Sequence, residues 1–218
     1  MICLRIAAAA LACASGAFAA STIDPAHKFA WGENIGWTNW RDANGGVSGV
    51  EVHDNFLRGF IWGENVGWIN VGQGPANCGM YANTSGADFG VNILPSGELT
   101  GFAWGENIGW INFDTRASLS GFGQQARFIA SAGRFRGYVW GENVGWINLE
   151  DPTHFVGSSI PCGLDINGDD LIGFADLNIV ISAFNTSGPC LVGDVNGDGA
   201  VNFSDLNLII SSFNEACP

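Results

Sequence analysis

Positive charge is scarce in this chain. Its 218 residues include 8 Lys and Arg against 21 Asp and Glu, a formal net charge of −13. The basic residues form no patch that could neutralise a phosphate backbone, which excludes nucleic acid as a partner. Residues 151–218 hold no Lys or Arg and nine of the acidic residues. That surplus calls for a counter-charge, and bound cations supply one. Histidine is nearly as rare: His27, His53 and His154 stand at unrelated places without metal-ligand spacing. No nucleophile–base pair is recognisable, which argues against covalent catalysis. Long apolar runs are missing beyond the N-terminus, where none reaches the roughly 20 residues that span a bilayer. No transmembrane segment is therefore expected.

Residues 1–20 read as a secretory signal peptide. Arg5 supplies the charged start, an Ala-rich run the apolar core, and Ala17-Phe18-Ala19 a small-residue cleavage site. A lipoprotein signal ending at Cys13 is a lesser alternative, because Ala10 stands where such signals usually carry Leu. The expected location is secreted or cell surface. Four cysteines remain in the mature chain, Cys78, Cys162, Cys190 and Cys217, and an oxidising compartment favours at least one disulfide among them.

The most abundant pattern is Trp-Gly-Glu-Asn-(Ile/Val)-Gly-Trp, found four times, from Trp31, Trp62, Trp104 and Trp140. Each copy continues to Asn39, Asn70, Asn112 or Asn148. Self-similarity at this period marks a repeat architecture. Apolar, β-favouring residues flank every copy, so each reads as two short strands joined by Gly-Glu-Asn-x-Gly, whose glycines and central Asn tolerate positive φ. Further strands are expected over Val47–Val52, Phe89–Ile93 and Ala126–Ala130, with turns at Gly97 and Gly133. The hairpin strands carry apolar residues at adjacent positions, which implies burial on both faces. The predicted fold class is mainly β: repeated antiparallel β-meanders over residues 21–155, as a propeller-like ring or a stacked array, followed by a small α-helical module. On this reading the repeated tryptophans form an aromatic core; the alternative is that they stack on sugar rings. Glu33, Glu64, Glu106 and Glu142 are expected to accept hydrogen bonds from turn N–H groups, and the alternative is acid–base work on glycosides.

Residues 161–218 carry a second repeat, of two copies 29 residues apart. Asp165, Asn167, Asp169 and Asp176 match Asp194, Asn196, Asp198 and Asp205 at positions 1, 3, 5 and 12 of a twelve-residue loop. The carbonyls of Leu171 and Ala200 fall at position 7. This is EF-hand spacing, and its oxygen donors suit Ca²⁺, so two Ca²⁺ ions are expected. Asn202 at position 9 offers a further donor to the second loop, where Gly199 also keeps the turn glycine that Asp170 replaces in the first. A helix is expected after each loop, burying one face against its twin.

A duplicated loop–helix without a preceding helix resembles the type I dockerin domain, over residues 162–216. The resemblance implies calcium binding by the ligands just named and docking onto a cohesin-like scaffold or a cell-surface protein. The family often reads its partner with Ser-Thr at positions 10 and 11, where this chain has Phe174-Ala175 and Phe203-Ser204. The Trp motif resembles repeats of uncharacterised secreted bacterial proteins, which implies no activity. If the two loop–helix units are related by a pseudo-twofold, Cys162 and Cys217 come together as a clasp, with Cys190 free or paired with Cys78; Cys162–Cys190 is the alternative. The expected function is non-catalytic extracellular adhesion or assembly, with the C-terminal module docking. The rivals are a carbohydrate-binding accessory protein of polysaccharide degradation and a glycoside hydrolase.

Overall fold

A computed structural model of the chain describes residues 21–75, 79–158, 164–167, 171–188, 191–196 and 198–215. The expected signal peptide, all four mature cysteines and Asp169 lie outside them. Strand β1 (Ile23–Gly32) turns back as β2 (Gly36–Asn39); β3 (Glu51–Val52) precedes the hairpin β4 (Leu57–Gly63) and β5 (Gly67–Gly72). Strand β6 (Val91–Ile93) precedes β7 (Leu99–Gly105) and β8 (Gly109–Asn112), and the short helix α1 (Arg116–Leu119) follows. Strands β9 (Arg127–Ile129) and β10 (Arg134–Arg136) lead into β11 (Tyr138–Gly141) and β12 (Gly145–Asn148), and β13 (Val156–Ser158) returns beside β1. The expected additional strands thus exist as β3, β6 and β9. Gly97 and Gly133 sit in turns with left-handed φ of +83° and +52°.

The four motif hairpins close an eight-stranded antiparallel barrel. The pairs run β1–β2, β2–β4, β4–β5, β5–β7, β7–β8, β8–β11 and β11–β12. Strand β12 then returns to β1 through Trp31–Asn148 and Gly32–Ile147. This corrects the expected propeller-like ring or stacked array. The hairpins join edge to edge, so each completes the open ladder of the last, and closure leaves no edge among the eight.

Barrel closure also explains why adjacent apolar residues misled. Along β4 the inward Leu57, Gly59, Ile61 and Gly63 are buried and alternate with the outward Arg58, Phe60 and Trp62. The facing pairs Ala30–Thr38, Ile61–Ile69, Ala103–Ile111 and Val139–Ile147 fill the middle of the barrel and are at most 3% exposed. An eight-stranded barrel is narrow enough for side chains alone to fill it. The Thr38 hydroxyl is satisfied there by donating to the Ala30 carbonyl. Ile35, Val66, Ile108 and Val144, from the hairpin tips, close one end. Trp40, Val71, Phe113 and Leu149, each just past a motif Asn, close the other.

The motif residues explain the tips. A Cβ on Gly32, Gly63, Gly105 or Gly141 would lie 2.5–2.7 Å from the Ile or Val that folds over it. The second motif glycines, Gly36, Gly67, Gly109 and Gly145, hold φ between +73° and +77°. The motif Asn does not adopt positive φ, contrary to expectation. Its side chain instead bonds sideways, from Asn65 to the Ile35 carbonyl, Asn107 to Val66, Asn143 to Ile108 and Asn34 to Val144, at 3.0–3.2 Å. Four bonds therefore run from hairpin to hairpin and close on themselves. Each is worth about 1 kcal/mol net.

Near the C-terminus stand two nine-residue helices, α2 (Phe174–Ser182) and α3 (Phe203–Ser211). They share a small apolar cluster of Ile172, Val180, Val201 and Ile209, with Leu177 and Leu206 packed against it. Ile172 exchanges backbone hydrogen bonds with Asn214 and Glu215, and Val201 does so with Asn185 and Thr186. The two bond sets match residue for residue, which is pseudo-twofold pairing. Among the described residues no helix is long and apolar enough to cross a membrane.

Candidate functional site

The eight motif tryptophans face outward. Each is between 37% and 42% exposed, which corrects the aromatic-core expectation. The two tryptophans of a hairpin stand directly opposite each other in the ladder. Their rings meet edge to face, with centroids 4.8, 5.2, 4.7 and 4.8 Å apart. Such a cross-strand pair stabilises the hairpin by about 0.5–1.5 kcal/mol while leaving ring faces in water. Trp40, outside the motif, is the tryptophan that belongs to the core, at 1% exposure against Phe113 and Phe135.

Between successive hairpins the outer wall dips into grooves, and three of them repeat the same furniture. Phe60, Trp68 and Asn70 from one hairpin face Trp104 and Glu106 of the next across a cavity of about 470 Å³. Phe102, Trp110, Asn112, Trp140 and Glu142 line the next, of about 450 Å³. Tyr138, Trp146, Asn148, Trp31 and Glu33 line the third, of about 590 Å³, which spans the seam where the barrel closes. Loop residues dress each groove differently: Asn44 and Ser48 in the first, Asn83 to Ser85 and Phe89 in the second, Leu119 and Gln124 in the third.

The Asn at the base of each groove has one atom committed. The Oδ1 atoms of Asn70, Asn112 and Asn148 accept from the N–H two residues on, at 2.8–2.9 Å, which bends the strand away from the barrel. No described residue accepts a hydrogen bond from their Nδ2 donors, and all three residues line their grooves. The motif glutamates are exposed and form no hydrogen bond or ion pair among the described residues. The expected bond to turn N–H groups is absent there, because the Gly32 carbonyl and Ile35 N–H already close the turn on each other.

The fourth equivalent position, between the first two hairpins, is furnished otherwise. Asn39 also accepts from the N–H two residues on, but its Nδ2 donates to Asp42 at 3.1 Å. His154 packs on Trp37 with centroids 5.0 Å apart, and the Lys28 ammonium stands 5.6 Å from the Phe29 ring. Both Lys28 and Asn39 bond Asp42, and although burial opposes it these contacts hold the Asp42 carboxyl below its usual range.

The second calcium-type loop is partly drawn together. Asp194 accepts from the N–H groups of Asp198 and Gly199, and Asn196 donates to the Asp198 carboxylate at 3.0 Å. Gly199 holds φ +85°, as the sharp turn at position 6 demands. These bonds draw the side chains of Asp194, Asn196 and Asp198 side by side, while the Ala200 carbonyl accepts from the Asn202 amide at 3.3 Å. Asn202 is occupied otherwise: its Oδ1 caps α3 by accepting from Ser204 N–H. The position-12 carboxylates are fully buried. Asp205 accepts from Val195, Asn196 and Asn202, and Asp176 from Ile166, Asn167 and Gly173. They tie each loop to the start of its helix, a role that ligand spacing alone did not reveal. Among the described residues no three His, Cys, Asp or Glu side chains gather as a metal group.

In comparisons with known proteins, no family model matches the chain, and neither the curated proteins nor the solved structures give a match.

Proposed function

We propose that this is a secreted, non-catalytic protein of extracellular adhesion or assembly. Its barrel binds polysaccharide in the three tryptophan grooves, and its C-terminal loop–helix pair docks onto a cohesin-like scaffold or cell-surface protein in a Ca²⁺-dependent way. The observation that carries the reading is the threefold repetition of one groove: two Trp rings, a third aromatic, an amide donor and a carboxylate. Aromatic faces take the C–H face of a pyranose, and the polar pair takes its hydroxyls. Each groove carries a single motif carboxylate, whereas glycoside hydrolysis uses a pair, so the grooves lend the hydrolase alternative no support.

Calcium, when bound, would neutralise the acidic loops and fix their turns. Asp194, Asn196, Asp198 and the Ala200 carbonyl would hold it in the second loop, and Asp165, Asn167 and the Leu171 carbonyl in the first. The position-12 aspartates keep both loops in register with their helices.

Depletion of the full-length protein onto insoluble cellulose and chitin tests the carbohydrate reading. The W68A/W110A/W146A variant should still unfold cooperatively, at a transition lowered by the roughly 1 kcal/mol that each lost cross-strand ring contact is worth, and lose at least tenfold in retention while folded. Retention unchanged in that variant would sink the proposal.

A further inference from the structure

We infer, resting on the carbohydrate reading above, that the grooves select sugar units bearing a protonated amine over neutral and acidic ones. The first ground is charge. Each of the three grooves contains one glutamate, Glu106, Glu142 or Glu33, and among the described residues no Lys, Arg or His lines any of them. None of these carboxylates has a partner among the described residues. A uronate or sulfate would meet the carboxylate without a compensating cation, and the chain's net charge of −13 would add to the repulsion.

The second ground is the aromatic wall. Exposed Trp faces attract a cation through the ring quadrupole, the more so when a carboxylate shares the groove. Ammonium, Trp face and carboxylate are therefore mutually compatible, while a neutral hydroxyl leaves the carboxylate without its charge partner.

The third ground separates an amino sugar from a bare alkylammonium. The uncommitted Nδ2 of Asn70, Asn112 or Asn148 is a donor, which an ammonium cannot use. A pyranose offers it a ring or hydroxyl oxygen and at the same time offers the carboxylate an amine. The fourth position makes an internal contrast. There Lys28 stands near the Phe29 ring and the Asn39 donor is spent on Asp42, so a cation already occupies the aromatic side and the amide is closed. It should bind nothing of this kind.

Calorimetry on the full-length protein at about pH 6 tests the inference with four hexamers: glucosamine, N-acetylglucosamine, glucose in β-1,4 linkage, and a uronic acid. The glucosamine hexamer should bind at least tenfold tighter than the two neutral ones, and the uronic acid hexamer should not bind. In the E33Q/E106Q/E142Q variant the glucosamine advantage should vanish while binding of the neutral hexamers persists. Equal affinity for neutral and amino hexamers, or an advantage that survives in the variant, overturns the inference and leaves the carbohydrate reading standing. Failure of all four hexamers to bind overturns both. Polylysine binding that depends on the same glutamates, without glucosamine binding, also overturns it, in favour of a protein ligand.

Discussion

The barrel and the helix pair are both built from tandem repeats, yet they hold together by different means. In the barrel, each copy contributes to one continuous core that runs from Ile35, Val66, Ile108 and Val144 at the tips to Trp40, Val71, Phe113 and Leu149 at the base. The helix pair has Ile172, Val180, Val201 and Ile209 at its centre. A cluster that small leaves a domain marginal, and small domains borrow stability from metals or disulfides. A four-copy repeat that closes on itself can thus spend its outer face on function. On the calcium reading, a two-copy repeat relies on its loops to stay folded.

Truncation inside and outside the barrel is the sharpest way to probe that contrast. Phe113→Ala should cost about 3–5 kcal/mol, as for a fully buried aromatic. Trp68→Ala should cost about 1 kcal/mol, the worth of its cross-strand ring contact. Urea unfolding reads both, and equal losses would erase the distinction between a load-carrying interior and a working exterior.

Calcium bears on the other side of the comparison. At about 100-fold over its Kd, Ca²⁺ should stabilise the helix pair by about 2.7 kcal/mol and leave the barrel transition where it is. The second loop should bind more tightly, and Asp194→Ala should remove that event in calorimetry of the full-length protein. A helix pair indifferent to Ca²⁺ would show that its apolar cluster suffices alone.

Smaller effects concern the seams. Asn107→Ala removes one of the four bonds between hairpin tips and should lower barrel stability by about 1 kcal/mol in the same unfolding assay. If nothing is lost, the tips hold by packing alone. The smallest effect is electrostatic. The hydrogen bond from Arg116 holds the Asp114 carboxyl below its usual range, and burial opposes it. A carboxyl with a depressed folded pKa adds stability above its unfolded pKa, and the gain is lost as pH falls through the folded value. Asp114→Asn should therefore be less stable than the parent above about pH 4, and the two should converge only as pH falls on through the depressed folded value, below the ordinary carboxylate range. The pair is more than a third exposed, so screening keeps the gap small.

Much of this was legible in the residues. The hairpins, the added strands and the two helices follow from turn chemistry and periodicity, because each is a local matter. Barrel closure was not, since β12 meeting β1 joins Asn148 to Trp31 across most of the repeat. The outward side of the tryptophans was hidden for a related reason: in a closed barrel small and aliphatic side chains such as Ala30, Thr38, Ile61 and Ile69 fill the lumen, so the larger rings are left outside. The lateral Asn bonds could have been suspected, because an Asn kept in four identical turns without positive φ must bond elsewhere. The burial of Asp176 and Asp205 was hidden by a spacing that serves ligand and helix tether alike.

Closure has one more consequence. Because the hairpins succeed one another around a cylinder, the three grooves look out along three different bearings. A stiff polymer seated in one runs away from the other two. On the carbohydrate reading, a single molecule would therefore hold separate strands rather than grip one strand three times. Coated onto a polysaccharide, the protein would knit fibres into a mesh.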